Sequence, residues 1–360
     1  MRRLHALDAL RGVAALCVVV WHWQHFFAVG GDWPDGWQRS DQPFYLLLKP
    51  LYVQGWAAVD LFFVLSGFVF FWLYGEKVRA RAVAGFEFAR LRFSRLYPLH
   101  FALLLVVAGL QLVFLRATGG FFIYQANDWS HFIAHLFMVE NWWPRSPQSF
   151  DGPAWSVSIE VLLYCLFFVL CRLGLRRGWQ MALVALAGSA LLFVDEHIGR
   201  GVIGFFMGGV AFTLWERWRD GSATLSRWLM AATVTGWVTL AVLLYRDSPL
   251  LANGEGNMGF LVAFDYLLCP LTVLTLALRE SVRGPSKLPL EYLGDISYAT
   301  YLLHFPLQLG LALIALRLDL DSDFFMQGWV MLAFYVILIG LGALSYRFFE
   351  RPLQNRLRGR

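Results

Sequence analysis

LDALRGVAALCVVVWHWQHF, residues 7–26, is an apolar run with ionisable residues near both of its ends. Asp8 and Arg11 open the run, and His22 lies near its end between two tryptophans. With a helical rise of about 1.5 Å per residue, Arg11 and His22 lie roughly 16 Å apart along the helix axis. Ionisable side chains inside a membrane-spanning helix are costly and usually face a cavity or a partner. The stretch therefore predicts a first spanning helix that forms one wall of a functional site.

The composition predicts an all-α, polytopic membrane bundle. The 360 residues are 58% hydrophobic and 15% charged, whereas a soluble domain has about 25% charged residues. The net charge of +5 comes from basic residues in short loops, which the positive-inside rule explains better than nucleic-acid binding does. No cleavage site follows the first apolar run, so we expect it to be retained as a span. The cysteines have no paired spacing and are interpreted as small core residues, not as disulfides or metal ligands: Cys17, Cys165, Cys171 and Cys269.

Hydropathy predicts about ten transmembrane helices, with both ends of the chain on the cytoplasmic side. In that arrangement the inner loops hold 22 of the 30 lysines and arginines and the outer loops hold seven. Two outer loops, 30–53 and 117–155, are long and rich in tryptophan and proline, and we expect an interfacial helix at 129–140. Such loops either close over a site or anchor the protein at the interface. The predicted spans are 10–29, 54–74, 98–116, 156–173, 179–195, 199–215, 228–246, 258–278, 297–316 and 326–347.

Two further segments combine polar side chains with an apolar span. The second span carries Asp60 and then LFFVLSGFVFF, residues 61–71, in which the pair Ser66-Gly67 alternatively serves only close helix packing. In ARLRFSRLYPLH, residues 89–100, Arg92 and Arg95 would share one helical face. Paired guanidinium groups bind phosphate, although a basic cluster at a membrane surface also binds anionic headgroups.

The fourth and ninth spans also contain ionisable residues. Glu160 lies about one turn inside the span that begins GPAWSVSIEVLLY, residues 152–164, where an unpaired carboxylate would be costly. In DISYATYLLHFPL, residues 295–307, Tyr301 and His304 are three residues apart and would face one cavity. We expect two breaks at prolines: Pro98 where the preceding loop enters the third span, and Pro306 within the ninth span.

In this order the segments resemble the acyltransferase 3 family of integral membrane acyltransferases, and the resemblance covers nearly the whole chain. It rests on LDALRG with His22, FFVLSGF (62–68), RFSR (92–95), WSVSIE (155–160), SYATYLLHFPL (297–307) and FFERP (348–352). Many relatives carry an appended hydrolase-like domain, and we expect none in this chain. The chain is therefore similar to the stand-alone form of the family. The expected division is an acyltransferase 3-like transmembrane domain, 1–352, and a short basic cytoplasmic tail, 353–360. The family implies a multi-pass protein of the bacterial inner membrane.

The resemblance implies transfer of an acyl group, with acetyl as the expected group, from acyl-CoA to a hydroxyl of a carbohydrate or lipid-linked sugar. Acetyl-CoA or another acyl-CoA would be the donor substrate, and no permanently bound cofactor or metal is expected. An imidazole is suited to act as a base at neutral pH, and this favours His22. The implied site residues are His22, Arg11 and Glu160 for catalysis, Arg92, Arg95 and Ser66 for the donor, and Asp60, Tyr301 and His304 for the acceptor or cavity. A transporter or flippase that uses buried His, Glu and Arg is the alternative, and a membrane protein without turnover is a third interpretation.

Overall fold

The structure, a computed structural model, describes residues 3–28, 33, 36–251, 257–284 and 290–359. These residues form helices and loops, and no strand occurs within the described ranges. The α-helices are α1 His5–His22, α2 Tyr45–Gln54, α3 Ala58–Phe70, α4 Glu76–Arg79, α5 Gly85–Thr118, α6 Trp129–Leu136, α7 Trp155–Arg172, α8 Gly178–Leu191, α9 Glu196–Trp218, α10 Ala223–Tyr245, α11 Met258–Ala263, α12 Cys269–Arg283, α13 Glu291–Arg317, α14 Gly328–Ser345 and α15 Arg351–Leu357.

The predicted all-α bundle of about ten spans is confirmed, although one span is short. In the described part of the chain, nine helical stretches are long and apolar enough to cross a membrane. Helix α8 has only 14 residues, but it runs antiparallel to α9 over its whole length. Gly178 at the start of α8 lies against Thr213, and Leu192 just after α8 lies against Gly199. Successive spans therefore alternate in direction only if α8 is counted as a crossing. With its nine long apolar stretches, the protein is a multi-pass membrane protein.

The expected interruptions at two prolines are wrong. Pro98 lies inside the continuous 34-residue helix α5, and Pro306 lies inside the 27-residue helix α13. Each proline removes one backbone hydrogen bond, but a bilayer offers no water to replace the others. Both helices therefore continue through the proline.

Helices α1 and α13 pack against each other along their length. Their backbones approach closely near the start of both helices, where Gly12 lies against Leu293 and Gly294 lies against Asp8. The carboxylate of Glu280 accepts hydrogen bonds from the backbone N–H groups of His5 (3.0 Å) and Ala6 (2.8 Å), which satisfies free donors at the first turn of α1. We call the end of the bundle at which α1 and α13 begin the basic end.

The pair Ser66-Gly67 serves packing through its glycine. The Cα of Gly67 on α3 lies against the backbone carbonyl of Phe205 on α9, and Gly208 of α9 lies against the carbonyl of Val64. A side chain at either glycine would hold the two helices apart. Close approach through small residues is a general way for spanning helices to associate.

We expect Gly67→Ala to destabilise the protein by about 1–3 kcal/mol, the usual cost of overpacking. A Cβ atom at this position would overlap the Phe205 carbonyl, which is backbone and cannot rotate away. Gly109→Ala in α5 is the matched control, because no atom lies within 4 Å of its added Cβ. Thermal unfolding in detergent measures both variants. Equal melting temperatures would contradict the packing account.

Candidate active site

A cavity of about 330 Å³ lies between α1, α3, α5, α7 and α13. It also receives a side chain from the residue after α15. Four guanidinium groups and two carboxylates line it: Arg11, Arg92, Arg95, Arg358, Asp8 and Glu160. Six of the nine site residues predicted from the sequence lie on this wall: Arg11, Ser66, Arg92, Arg95, Glu160 and Tyr301. The excess of positive charge makes the cavity suitable for an anionic ligand.

Arg11 is fixed to the start of α13. Its Nε donates to Ser297 Oγ (2.9 Å), and a terminal nitrogen donates to the Gly294 carbonyl (2.5 Å). Asp8, one turn earlier in α1, lies 3.4 Å from the same terminal nitrogen. Because three groups hold the guanidinium, Arg11 keeps one orientation towards the cavity.

Arg92 and Arg95 lie on α5 and share one face, as their spacing predicts. The Arg92 guanidinium lies over the rings of Phe70 (5.0 Å) and Tyr74 (4.8 Å), and it donates to the Tyr74 hydroxyl (2.7 Å). Its Nε is buried and makes no hydrogen bond within the described residues. No described carboxylate lies within 4.0 Å of either guanidinium. Both arginines therefore keep capacity for an anionic ligand.

Glu160 hydrogen-bonds to hydroxyl groups. Its Oε1 accepts from Ser66 Oγ (2.6 Å) and from the Tyr164 hydroxyl. Among the described residues no histidine hydrogen-bonds to this carboxylate, so the structure does not join Glu160 to His22. The three side chains connect α3 with α7 on one wall of the cavity.

Tyr301 and Ser156 form the end of the cavity that is farther from the basic end of the bundle, and we call it the inner end. Their hydroxyl oxygens are 2.8 Å apart, and the Tyr301 hydroxyl also donates to the Pro153 carbonyl (2.7 Å). The Tyr301 ring centroid is 5.7 Å from that of His304, one turn further along α13. His304 and His22 do not line the cavity. They lie directly beyond Tyr301.

His22 and His304 form a hydrogen-bonded pair, with His22 Nδ1 3.1 Å from His304 Nε2. His304 Nδ1 faces the Tyr301 carbonyl, which can only accept, so His304 Nδ1 carries a proton. In the neutral pair His304 Nε2 is then the acceptor, and His22 Nδ1 carries the proton that it donates. This order leaves the lone pair of His22 on Nε2. A backbone carbonyl thus sets the tautomers of both rings.

A second polar layer adjoins the histidine pair, and a long loop lies against this layer. Gln308 donates to the His22 carbonyl (2.8 Å), and its amide oxygen lies 3.2 Å from His25 Nδ1. The loop between α5 and α7 brings Tyr124 to 5.9 Å from the His25 ring and 5.2 Å from the Phe305 ring. Of the two interpretations of this long loop, closure over a site agrees with these contacts.

Asp60 lies outside the cavity. It is fully buried and forms a bidentate ion pair with Arg200 of α9, at 2.9 and 3.2 Å. The Arg200 guanidinium also lies 4.3 Å from the centroid of the Trp56 ring. Asp60 therefore belongs to a buried ion pair between α3 and α9. It does not line the cavity, in contrast to the expectation from the sequence.

Sequence reasoning did not select several polar residues of the cavity wall, among them Tyr164, Asp8 and Arg358. Tyr164 follows Glu160 by four positions, so helical spacing could have indicated it. Asp8 is part of the first motif, where it was noted beside Arg11 but given no role in the site. Arg358 gave no signal, because its place depends on how α15 packs against α5.

The geometry defines a helical membrane protein with an arginine-lined cavity that ends beside a histidine pair. The family model described as "Acyltransferase domain" matches residues 4–347, and the chain belongs to this acyltransferase 3 family. The resemblance stated from the sequence is thus confirmed. No solved structure matches the chain at a significant level.

The chain is similar to several curated proteins over most of its length. O-acetyltransferase OatA of Staphylococcus aureus is 25% identical over 396 residues, which cover 99% of this chain and 58% of OatA. The exopolysaccharide production protein ExoZ of Rhizobium meliloti is 28% identical over 85% of this chain and 92% of its own. Acyltransferase MdmB of Streptomyces mycarofaciens is 27% identical over 99% and 93%. The chain thus spans little more than half the length of OatA.

Proposed function

We propose that the protein is an O-acyltransferase that moves an acetyl group from acetyl-CoA to a hydroxyl of a carbohydrate or lipid-linked sugar. The observation that carries this proposal is the arginine-lined cavity whose inner end adjoins the His22–His304 pair. The cavity suits a phosphate-bearing donor, and the histidine pair suits a base. The family and the names of its relatives, two of which are acyltransferases, support the same activity.

The donor would bind with its nucleotide among the arginines and its thioester towards Tyr301. Arginine binds phosphate with charge-assisted hydrogen bonds, and the buried Nε of Arg92 has no hydrogen-bond partner among the described residues. Arg11 would bind the diphosphate or stabilise negative charge that develops near the thioester. Glu160 and Ser66 would line the path of the pantetheine arm.

His22 would act as the general base. Its Nε2 would take the proton of the acceptor hydroxyl while the oxygen attacks the thioester carbonyl carbon. The tetrahedral intermediate then collapses, the carbon–sulfur bond breaks, and the CoA sulfur takes the proton from His22. The hydrogen bond from His22 Nδ1 to His304 would stabilise the imidazolium that forms in between. His304 is thus a positioning residue, and the Tyr301 carbonyl holds it in place.

The acceptor class is proposed from the relatives. ExoZ is named for exopolysaccharide production and OatA for O-acetyl transfer, and both names fit acetylation of an envelope carbohydrate. The test is the content of base-labile acetate in the envelope glycans of the host cell, with and without the gene. We expect the deletion to remove this acetate and wild-type protein to restore it. Unchanged acetate in the deletion strain would contradict the proposal.

We further propose that the protein lies in a bacterial inner membrane and that its basic end faces the cytoplasm, where acetyl-CoA is made. Ser40 and Asp220 are exposed, and they lie at opposite ends of the bundle. A cysteine at position 40 should react with a membrane-impermeant thiol reagent in intact cells, and one at position 220 should react only after lysis. The reverse pattern would overturn the orientation. Ser286, another position in a predicted inner loop, lies outside the described residues.

A transporter is the second candidate, and one observation favours it. Asp265 is completely buried in the span Met258–Arg283, and neither of its carboxylate oxygens has a hydrogen-bond partner in the described structure. Buried acids of this kind often belong to proton or ion paths. In a transporter the substrate would cross the membrane without covalent change, whereas the proposed enzyme leaves an acetyl ester on it.

A further inference from the structure

A third histidine, His25, lies beside the His22–His304 pair and has no role in the mechanism above. Its ring centroid is 4.8 Å from that of His22, and the residue is only 7% exposed. The rings of Tyr124 and Phe305 stand almost perpendicular to it, each with its centroid 5.9 Å away. Ionisable side chains within a membrane-spanning segment usually face a cavity or a partner. The ring of His25 is thus enclosed and keeps one position next to the proposed base.

Gln308 determines which nitrogen of His25 carries the proton. The Gln308 amide nitrogen donates to the His22 carbonyl (2.8 Å), so its amide oxygen is the atom that lies 3.2 Å from His25 Nδ1. An amide oxygen can only accept, and His25 Nδ1 therefore carries a proton. In the neutral ring the lone pair is then on Nε2, which has no hydrogen-bond partner among the described residues.

His22 and His25 present the same acceptor atom in the same direction. His22 Nδ1 is bonded to His304, and His25 Nδ1 is bonded to Gln308, one turn further along α13. Nδ1 and Nε2 point to nearly opposite sides of an imidazole ring, so both Nε2 atoms are directed away from α13. The structure therefore holds two hydrogen-bond acceptors side by side, whereas transfer to a single hydroxyl needs only the one on His22.

We propose that His25 Nε2 binds a second hydroxyl of the acceptor, next to the hydroxyl that His22 activates. This inference rests on the proposed function and narrows its acceptor to a carbohydrate with two neighbouring free hydroxyl groups. Each hydroxyl donates to one imidazole, and only the hydroxyl at His22 gives up its proton. An acceptor without the second hydroxyl leaves a nitrogen of a buried histidine unpaired and binds less well. His25 is therefore a specificity-determining residue for the acceptor.

Two substitutions separate the two nitrogens of His25. In His25→Asn the amide can still donate to Gln308 as Nδ1 does, but no atom replaces Nε2. In His25→Gln the longer side chain brings an amide oxygen close to the position of Nε2, and the contact at Nδ1 is lost. The test uses purified full-length protein, acetyl-CoA and the envelope glycan of the deletion strain. We expect His25→Asn to raise the acceptor KM by about 5- to 100-fold, with the donor KM and the melting temperature close to wild type. His25→Gln should retain part of the acceptor binding.

The acetylated product provides a second measurement. Nuclear magnetic resonance of the glycan locates the ester, and we expect it on a sugar carbon whose neighbour in the wild-type substrate has a free hydroxyl. An ester confined to isolated hydroxyl groups, with no hydroxyl on the adjacent carbon, would overturn the inference.

His131→Asn is the matched control, because in the described structure the His131 ring bonds only to Asp128. If His25 had only a structural role, His25→Asn would bind the acceptor normally and His25→Gln would have the lower melting temperature, and this result would overturn the inference. A loss of kcat in His25→Asn at an unchanged acceptor KM would assign His25 to proton transfer and overturn it as well. A wild-type protein that forms no acetyl ester would instead overturn the proposed function, and the inference with it.

Discussion

His22→Gln is expected to retain the fold and donor binding of the wild type and to lose turnover by about 10²- to 10⁴-fold, the usual contribution of a general base. Glutamine keeps a similar size and can hydrogen-bond to His304, but it cannot accept a proton at neutral pH. His22 ends α1 beside His304, with Nε2 as the site of the lone pair. The measurement is kcat for acetyl transfer together with the melting temperature, both on one preparation.

A packing role for His22 predicts the opposite pair of results. In that case His22→Gln would have a lower melting temperature, and its activity per folded molecule would be retained. A matched control is His131→Gln, because His131 lies on α6, far along the chain from His22, and in the described structure its ring bonds only to Asp128. A stable His22→Gln protein that transfers acetyl at a near-normal rate would contradict the base assignment.

Arg92→Ala and Arg95→Ala are each expected to raise the KM for the donor by about 10- to 100-fold, because each removes a charge-assisted contact to phosphate. The change should appear mainly in KM, since the phosphates are held equally in the ground state and the transition state. Arg92→Ala also removes a cation that stacks on Phe70 and Tyr74, so its melting temperature should fall as well. Steady-state kinetics with acetyl-CoA measures both variants.

Arg90→Ala is the control for these two variants. Arg90 is exposed on the same helix and is absent from the cavity wall. Loss of its charge should leave the donor KM unchanged. If all three variants behaved like wild type at normal protein levels, the arginines of α5 would be contacts to lipid headgroups, as the alternative interpretation of the sequence has it.

Features that depend on one helix were predictable from the sequence. The apolar run before His22 predicted a spanning helix, and α1 includes both Arg11 and His22. The three-residue spacing of Arg92 and Arg95 predicted a shared face, and both line one cavity. Helical periodicity and hydropathy determine these properties locally, so no knowledge of the packing is needed.

Contacts between distant segments were not predictable in the same way. His22 meets His304 across 282 positions, and Asp60 meets Arg200 across 140. The spacing of Tyr301 and His304 indicated that they share a face, but not that this face touches the end of α1. Partners of this kind are decided by which helices become neighbours, and a single sequence contains no direct signal of that. Glu160 illustrates the consequence: its place inside the span was expected, whereas its hydroxyl partners on α3 and α7 were not.

The most direct test of the account is covalent transfer of label from acetyl-CoA, labelled in its acetyl group, by purified protein in a bilayer. An isolated envelope glycan or its lipid-linked precursor serves as the acceptor. The account predicts that wild-type protein forms a base-labile acetyl ester on the acceptor, releases one free thiol for each ester, and loses both products in His22→Gln. Recovery of the acceptor on the other side of the bilayer without label or released thiol would contradict it and would favour transport.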